Sequence, residues 1–316
     1  MTSTAETQPT VLVLGADGTV ARAALQALLR RRTRIRALVR QARPDRDARI
    51  EWVTGDLRDP GVLRSALTGV RRVLYVTPHV DEEVTMAEHV VDECRRAGVQ
   101  LIFVGVHVSG RSVAGRLQRR LFTVLLPAYR PKLGIGRMVE ETSPDAVLLV
   151  PSNFFDNDLP FLPDILQGRF PTPLRGCNRV AACDIGEVAA RALTEADFPT
   201  GTHGISGPET LTGAESAAIW SEALGRPIRY TGDDRTAWEK TLCQRIPEGK
   251  RRRDWRNSFR ALGWMRVGTS AREVAETTAL LGRVPTSYRD WVQSQVDGLD
   301  SNQRAATGAG IGAPHC

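Results

Sequence analysis

Three small residues carry the first chemical signal. In VLVLGADGTVARAALQALL, Gly15, Gly18 and Ala21 follow a short apolar run, Val11–Leu14, and lead into a helical pattern over Val20–Arg31. A glycine at 15 permits a sharp turn out of a strand. A glycine at 18 lets the main chain approach a ligand with no Cβ in the way. An alanine at 21 lets the helix pack closely on a sheet. The N–H groups and positive end of the helix then face the turn, which suits the diphosphate of a dinucleotide. A tight strand-to-helix turn without a ligand uses the same residues, so the flanking strand and helix are what raise the signal.

The second signal lies at the end of the next strand, Ile35–Val39. An NAD site commonly has an acid there for the ribose 2′-hydroxyl. This chain has Arg40, then Arg43, and no acid until Asp45. A guanidinium there can pair bidentately with a 2′-phosphate, so the expected cofactor is NADPH. A solvated arginine is the alternative.

Alternating elements position these residues. Strands are expected at Val11–Leu14, Ile35–Val39, Ile50–Val53, Val73–Val76 and Val99–Val104, separated by helices that include Asp59-Pro60 through Leu67 and Val84–Arg96. Proline suits the first helical turn. Such apolar strands joined by helices imply a parallel sheet with right-handed crossovers, a doubly wound α/β (Rossmann) domain. Regularity weakens after Gly105. A helix at Leu133–Thr142 and a strand at Ala146–Val150 are expected, then helices at Ile185–Leu193, Gly213–Leu224, Ala271–Leu281 and Tyr288–Val296. The division read from this is a flexible N-terminus (1–9), a dinucleotide-binding domain (10–150), a smaller mixed substrate-side lobe (151–300) and a flexible tail (301–316).

Composition narrows the class. The chain has 316 residues, 41% hydrophobic and 25% charged, which excludes global disorder. No apolar run reaches the ~20 residues of a membrane span. The start, MTSTAETQPT, lacks the basic and apolar regions of a secretory leader. The net charge is +7, and only Lys132, Lys240 and Lys250 among the 43 basic residues are lysines. That bias reads as GC-rich bacterial codons. Five dispersed cysteines without a CxxC pair read as free thiols in a reducing cytoplasm. No histidine has metal-ligand spacing, so no metal is expected.

GADGTVA, RALVR, GDLRDP and VLYVTP, in that order, resemble the atypical short-chain dehydrogenase/reductase superfamily, and its NmrA-like branch most. PKLGIGRMVEETSPDAVLLVPSNFFDN, AACDIGEVAARAL, GISGPETLT and LLGRVPTSYRDWV extend the resemblance over roughly residues 10–296. It implies that Gly15, Gly18 and Ala21 bind the pyrophosphate with help from Asp17, Thr19 and Val20. It implies Arg40 on the 2′-phosphate, Asp56 and Leu57 at the adenine, and Thr77 and Pro78 near the ribose or nicotinamide. Lys132 matches the family lysine at the nicotinamide ribose, and Asn153 and Phe154 would approach the nicotinamide and substrate.

The chain departs from the superfamily at the catalytic pair, Tyr-x-x-x-Lys. Position 128 is Ala, Tyr129 precedes Lys132 by three, and Pro131 lies between them. The serine expected after the fifth strand is missing from VGVHVS. Candidate catalytic residues are therefore Lys132, Tyr129, whose phenol a nearby ammonium would make more acidic, and His107, which titrates near neutral pH. Each has a structural alternative: a surface lysine, a packing tyrosine, a hydrogen-bonded histidine.

Two further patches stand out. Arg111, Arg116, Arg119 and Arg120 with interleaved apolar residues form an amphipathic face: a lid, a homodimer contact or a plain surface helix. Lys250–Arg253 with Trp255 and Phe259 has the make-up of a nucleic-acid grip, but with no motif to support it, neither nucleic acid nor membrane is expected as a partner. The expected function is reduction by NADPH of a ketone, quinone or enone of a small substrate, aromatic because Phe154, Phe155, Phe161 and Phe170 cluster in sequence, with a role in bacterial natural-product biosynthesis. The alternative is a non-catalytic NADP(H) sensor that binds a partner protein.

Overall fold

The computed structural model describes residues 10–42, 47–108, 116–117, 120, 124 and 127–306. The chain divides into two units, Met1–Pro151 with Ile185–Gly204, and Ser152–Asp184 with Ile205–Cys316. The division is not a single cut, because residues 185–204 return to the first unit.

In the first unit, Val11 to Leu14 are shielded from solvent along β1 (Thr10–Leu14), as an unbroken apolar run requires of a strand covered on both faces. The other strands are β2 (Arg34–Val39), β3 (Ile50–Thr54), β4 (Val70–Val76), β5 (Gln100–Val104), β6 (Val147–Pro151) and, tenth in chain order, β10 (Gly201–Ile205). They lie in the order β3-β2-β1-β4-β5-β6-β10. Pairing from β3 through β6 is parallel. The order reverses between β1 and β4, the switch point where doubly wound sheets bind ligands. This is the α/β architecture expected from the sequence. The helices are α1 (Thr19–Leu28), α2 (Pro60–Ala66), α3 (Glu83–Ala97) and α4 (Arg130–Thr142). No helix falls among the described residues between β2 and β3.

Local chemistry sets these boundaries. Asp59 caps α2 by accepting from the Gly61 amide at 2.8 Å, with Pro60 in the first turn. Gly98 ends α3 with φ +64. The helix Ala182–Thr194 enters the first unit at Ile185. Gly186 there approaches α1 so closely that a Cβ would lie 2.5 Å from the Ala23 backbone, which explains the glycine in AACDIGEVAARAL. Buried Arg72 donates to the Ala192 and Glu195 carbonyls at 2.9 and 2.5 Å, a cation at the helix C-terminus.

The second unit is built from short strands and helices. One small sheet has the order β11 (Thr210–Leu211), β9 (Cys177–Val180), β7 (Asn153–Phe154); another pairs β8 (Arg169–Phe170) with β12 (Arg229–Tyr230). With Ala182–Thr194 taken as α6 after the short α5 (Leu162–Ile165), the remaining helices are α7 (Gly213–Leu224), α8 (Arg235–Arg245), α9 (Lys250–Trp264), α10 (Ala271–Leu281) and α11 (Tyr288–Ala306). The last runs into the segment read from sequence as a tail. Its core is aromatic and includes Phe155, Phe161, Phe170, Trp220, Trp238, Trp255, Phe259, Tyr288 and Trp291. Three of the four phenylalanines expected to favour an aromatic substrate are therefore packing residues; only Phe154 is half-buried. Trp255 and Phe259 are buried too, while Lys250 pairs with Asp254 at 3.0 Å, so the aromatics of that basic run are unavailable for stacking on bases.

A charged knot fastens this core. Arg179, 1% exposed, donates to Asp158 at 2.8 Å and to Ser216 at 3.1 Å, and Asp158 also accepts from the Tyr288 hydroxyl. The Arg179 guanidinium lies 4.4 Å from the Tyr288 ring centroid. Removing one partner strands the other charge. Asp158→Ala is expected to cost about 3–5 kcal/mol, and Asp158→Leu with Arg179→Met far less. Urea unfolding followed by tryptophan fluorescence reads the difference; equal losses would contradict the knot. Asp184, fully buried, accepts from Arg283 at 2.5 Å and from the Thr286 amide at 2.7 Å, linking two of the sequence landmarks.

Among the described residues, Cys94, Cys177 and Cys243 are free, and burial pushes the Cys94 and Cys177 thiols up to about 12 and about 11. No described helix is long and apolar enough to cross a membrane. Tail residues 307–316, Cys316 among them, and N-terminal residues 1–9 lie outside the described residues.

Candidate cofactor and active site

The sheet register brings three strand ends together. Leu14 pairs with Leu38, and Leu38 with Val53. Gly15, Arg40 and Asp56 follow these strands within a few residues. The Ala16 amide donates to the Leu38 carbonyl at 3.1 Å and the Gly55 amide to the Val39 carbonyl at 2.9 Å.

Gly15 has φ +62, the left-handed conformation that glycine adopts without strain. The Gly18 amide donates back to the Gly15 carbonyl at 2.9 Å. Gly18 itself has φ −71 and ψ 153, open to any residue, but a Cβ there would lie 3.3 Å from the Gly15 carbonyl oxygen. Its glycine keeps space clear rather than permitting a bend. Gly18, the N-cap residue, has no side chain with which to cap α1, and no acid sits in its first turn, so the N-cap itself leaves the leading N–H groups to a ligand. Gly18 and Thr19 are exposed and Asp17 half-buried. Val20 and Ala21 are 2% and 1% exposed, so only their main chains can face a ligand. This donor set fits a diphosphate.

Arg40 is exposed, immediately beyond β2. Its charge reaches Asp56, whose carboxyl is held down at about 2, chiefly by hydrogen bonds from the Arg58 side chain and amide and further by the Arg58 and Arg40 charges. The Arg58 guanidinium lies 2.6 Å from Asp56. Sequence reasoning missed Arg58, although Asp and Arg two apart in GDLRDP form an ordinary Asx-type turn. The Asp56 carboxyl sits below its ordinary 3.8. The pair's contribution is thus complete above about pH 4 and fades as pH falls through about 2. Both side chains are largely exposed, so Arg58→Ala is expected to lower the melting temperature only slightly at pH 7 and by less at pH 2. Thermal melts at the two pH values test this. Leu57 is buried in the core, leaving its main chain for any contact with a base.

At the end of β4, the Thr77 hydroxyl donates to the Val104 carbonyl at 3.2 Å. Gly105 must be small: a Cβ would lie 2.7 Å from the Thr77 Oγ1. Lys132 reaches this place from α4. Its Nζ lies 2.8 Å from Glu83 Oε2 and 3.4 Å from the Pro78 carbonyl. Pro131 stands in the first turn of α4, where it breaks nothing. Tyr129, half-buried, is the N-cap residue just outside that helix, at the end of a 3-10 turn (Pro127–Tyr129). Tyr129 and Lys132 are thus not a helical i, i+4 pair. The His107 side chain is fully buried, its Nε2 3.4 Å from Glu140 Oε1, and its Nδ1 would lie 2.8 Å from a Cβ on Gly136. It packs beneath α4. In that setting, proton transfer to a bound molecule requires a rearrangement.

Asn153 and Phe154 belong to the second unit, on β7, both half-buried; Asn153 Oδ1 accepts from Asn157 at 3.3 Å. Of the arginine-rich face, Arg111 and Arg119 lie outside the described residues, as does Arg43. Leu117 and Val124 are each 69% exposed. No group of described His, Cys, Asp or Glu side chains is placed to hold a metal.

A model of the NmrA-like family matches residues 7–269. The chain belongs to the NmrA-like family. Among curated proteins, this NmrA-like chain is similar to an NAD(P)H azoreductase of Xenophilus azovorans, 31% identical over 234 residues, covering 70% of this chain and 76% of the relative. It is also similar to the (4-alkanoyl-5-oxo-2,5-dihydrofuran-3-yl)methyl phosphate reductase of Streptomyces griseus, 28% identical over 89% of this chain and 96% of the relative. Among solved structures, the triphenylmethane reductase of Citrobacter sp. complexed with NADP(H) has the same fold, with a TM-score of 0.72 at 20% identity over 91% of this chain and 99% of that one. Within the NmrA-like frame, Glu83 and Glu140 join Arg58 among the side chains that sequence reasoning missed. Glu83 had one signal, an acid opening a helix just after VTPHV.

Proposed function

We infer that this protein is an NADPH-dependent oxidoreductase. The observation that carries the reading is the α1 N-terminus behind Gly18, an N-cap without a side chain, with Arg40 where an NAD enzyme would place an acid. Relatives named as NAD(P)H-dependent and other reductases support it. The main-chain N–H groups from Gly18 to Ala21 hold the diphosphate, Arg40 takes the 2′-phosphate, and Lys132 with Thr77 and Pro78 orients the nicotinamide ribose. When bound, NADPH supplies the hydride.

The finer reading is reduction of a ketone, quinone or enone on a small aromatic substrate, in natural-product biosynthesis. The dihydrofuran ring in the name of the Streptomyces relative's substrate is an enone-type acceptor and supports this class. Loss of NADPH absorbance over a panel of quinones, enones and polycyclic ketones tests it; no turnover with any of them, alongside tight binding of cofactor, would favour a second reading. That reading is a non-catalytic NADP(H) sensor with a protein partner. Tyr129 standing outside α4 favours it.

On this reading the proton comes from a group other than Tyr129, which stands at the N-cap of α4 and not one turn before Lys132 within it. Tyr129→Phe is expected to keep turnover within about threefold, whereas Lys132→Ala loses about a hundredfold. A collapse in Tyr129→Phe as deep as in Lys132→Ala would restore the tyrosine as the acid.

A further inference from the structure

Lys132 and Glu83 form a buried ion pair whose side chains are 8% and 1% exposed. Taking two charges out of water costs more than their attraction returns unless further contacts hold them. Here the contacts are specific. Glu83 is the first residue of α3, where the helix end favours a carboxylate. The Pro78 carbonyl accepts from the same ammonium. Tyr75, on β4, lies within reach of the Glu83 charge; burial and then that charge push its phenol up, so this wall stays neutral. The pair thus ties the first turns of α3 and α4 together at the end of β4, beside Thr77 and Pro78. A pair bridging 49 residues at that place aims one particular ammonium.

We propose that Glu83 is a positioning residue: it holds the Lys132 ammonium where the cofactor's ribose hydroxyls are recognised. The proposal rests on the reductase reading for its ligand, and on the pair's geometry for everything else. Without the carboxylate, a four-carbon side chain regains its rotamers, and each hydrogen bond it makes must bear that ordering cost.

The chain's three lysines make the test direct. In protein labelled with ¹⁵N at lysine Nζ, Lys132 is assigned by its loss in Lys132→Met. The wild-type Lys132 ammonium is expected to exchange slowly with water, unlike that of exposed Lys240. In Glu83→Gln that protection is lost and the dissociation constant for NADPH rises about tenfold. Lys132→Met raises it as much, and the double variant no further. A structural role for Glu83 at the helix end alone would lower stability without this non-additivity. Lys132 protection or NADPH affinity indifferent to Glu83→Gln, in a chain whose wild type binds NADPH, overturns this proposal alone. A wild type that protects Lys132 but binds no NADPH overturns the reductase reading, and with it this use of the pair. Should Glu83→Gln not fold, the double variant lacks both charges, and wild-type Lys132 exchanging as fast as Lys240 still overturns the proposal.

Discussion

Gly18→Val is expected to fold normally and to bind NADPH at least about a hundredfold more weakly, a loss of about 2.7 kcal/mol. The backbone at Gly18, with φ −71 and ψ 153, accepts any residue. The nearest obstacle to a Cβ is the Gly15 carbonyl oxygen at 3.3 Å, a contact that a shift of a few tenths of an ångström relieves. What valine does is fill the space over the α1 N-terminus and hold a diphosphate away from the leading N–H groups. Gly15→Ala is the contrasting control. Nothing lies within 4 Å of its Cβ, yet φ is +62, so it strains the turn by about 1–2 kcal/mol with or without ligand. Melting temperature separates the two: Gly15→Ala lowers it and Gly18→Val hardly does. Unchanged NADPH affinity in folded Gly18→Val would remove the diphosphate from this turn.

Arg40→Glu is expected to reverse cofactor preference. A charge-assisted hydrogen bond is worth about 1.5–3 kcal/mol, and glutamate adds repulsion against a 2′-phosphate while offering an acceptor to a 2′-hydroxyl. NADPH affinity should fall about a hundredfold, with NADH unchanged or tighter. The substitution is made at an exposed position, so the fold is spared. Affinities for both cofactors, measured on one preparation, decide it; a parallel loss of both would mean that Arg40 acts through the strand end and not through the phosphate.

The first unit was legible because its signals are local. An apolar run, two glycines and an alanine specify β1, the turn and α1 within twenty residues, and Asp59-Pro60 specifies the start of α2. The second unit was less so. In α8 only Trp238 and Leu242 are buried, too few to print a helical period, and in α9 four basic residues at the start drew attention from Trp255 and Phe259, which pack inward. Phe155, Phe161 and Phe170 are close in sequence because they build one core, and composition alone does not separate a core from a binding wall. The site shows the same limit. Lys132 stood out as a rare residue type, whereas Glu83, 49 positions away, and Glu140 become partners only when α3 and α4 are folded against the sheet.

The central claim is that the bend after β1, together with Arg40, is built for a dinucleotide with an added phosphate. Isothermal titration calorimetry of the purified, folded chain against NADPH and NADH tests it most directly. Saturable 1:1 binding of NADPH, at least about tenfold tighter than that of NADH, is the expected result. No heat of binding from NADPH, or equal affinity for the two, would contradict it.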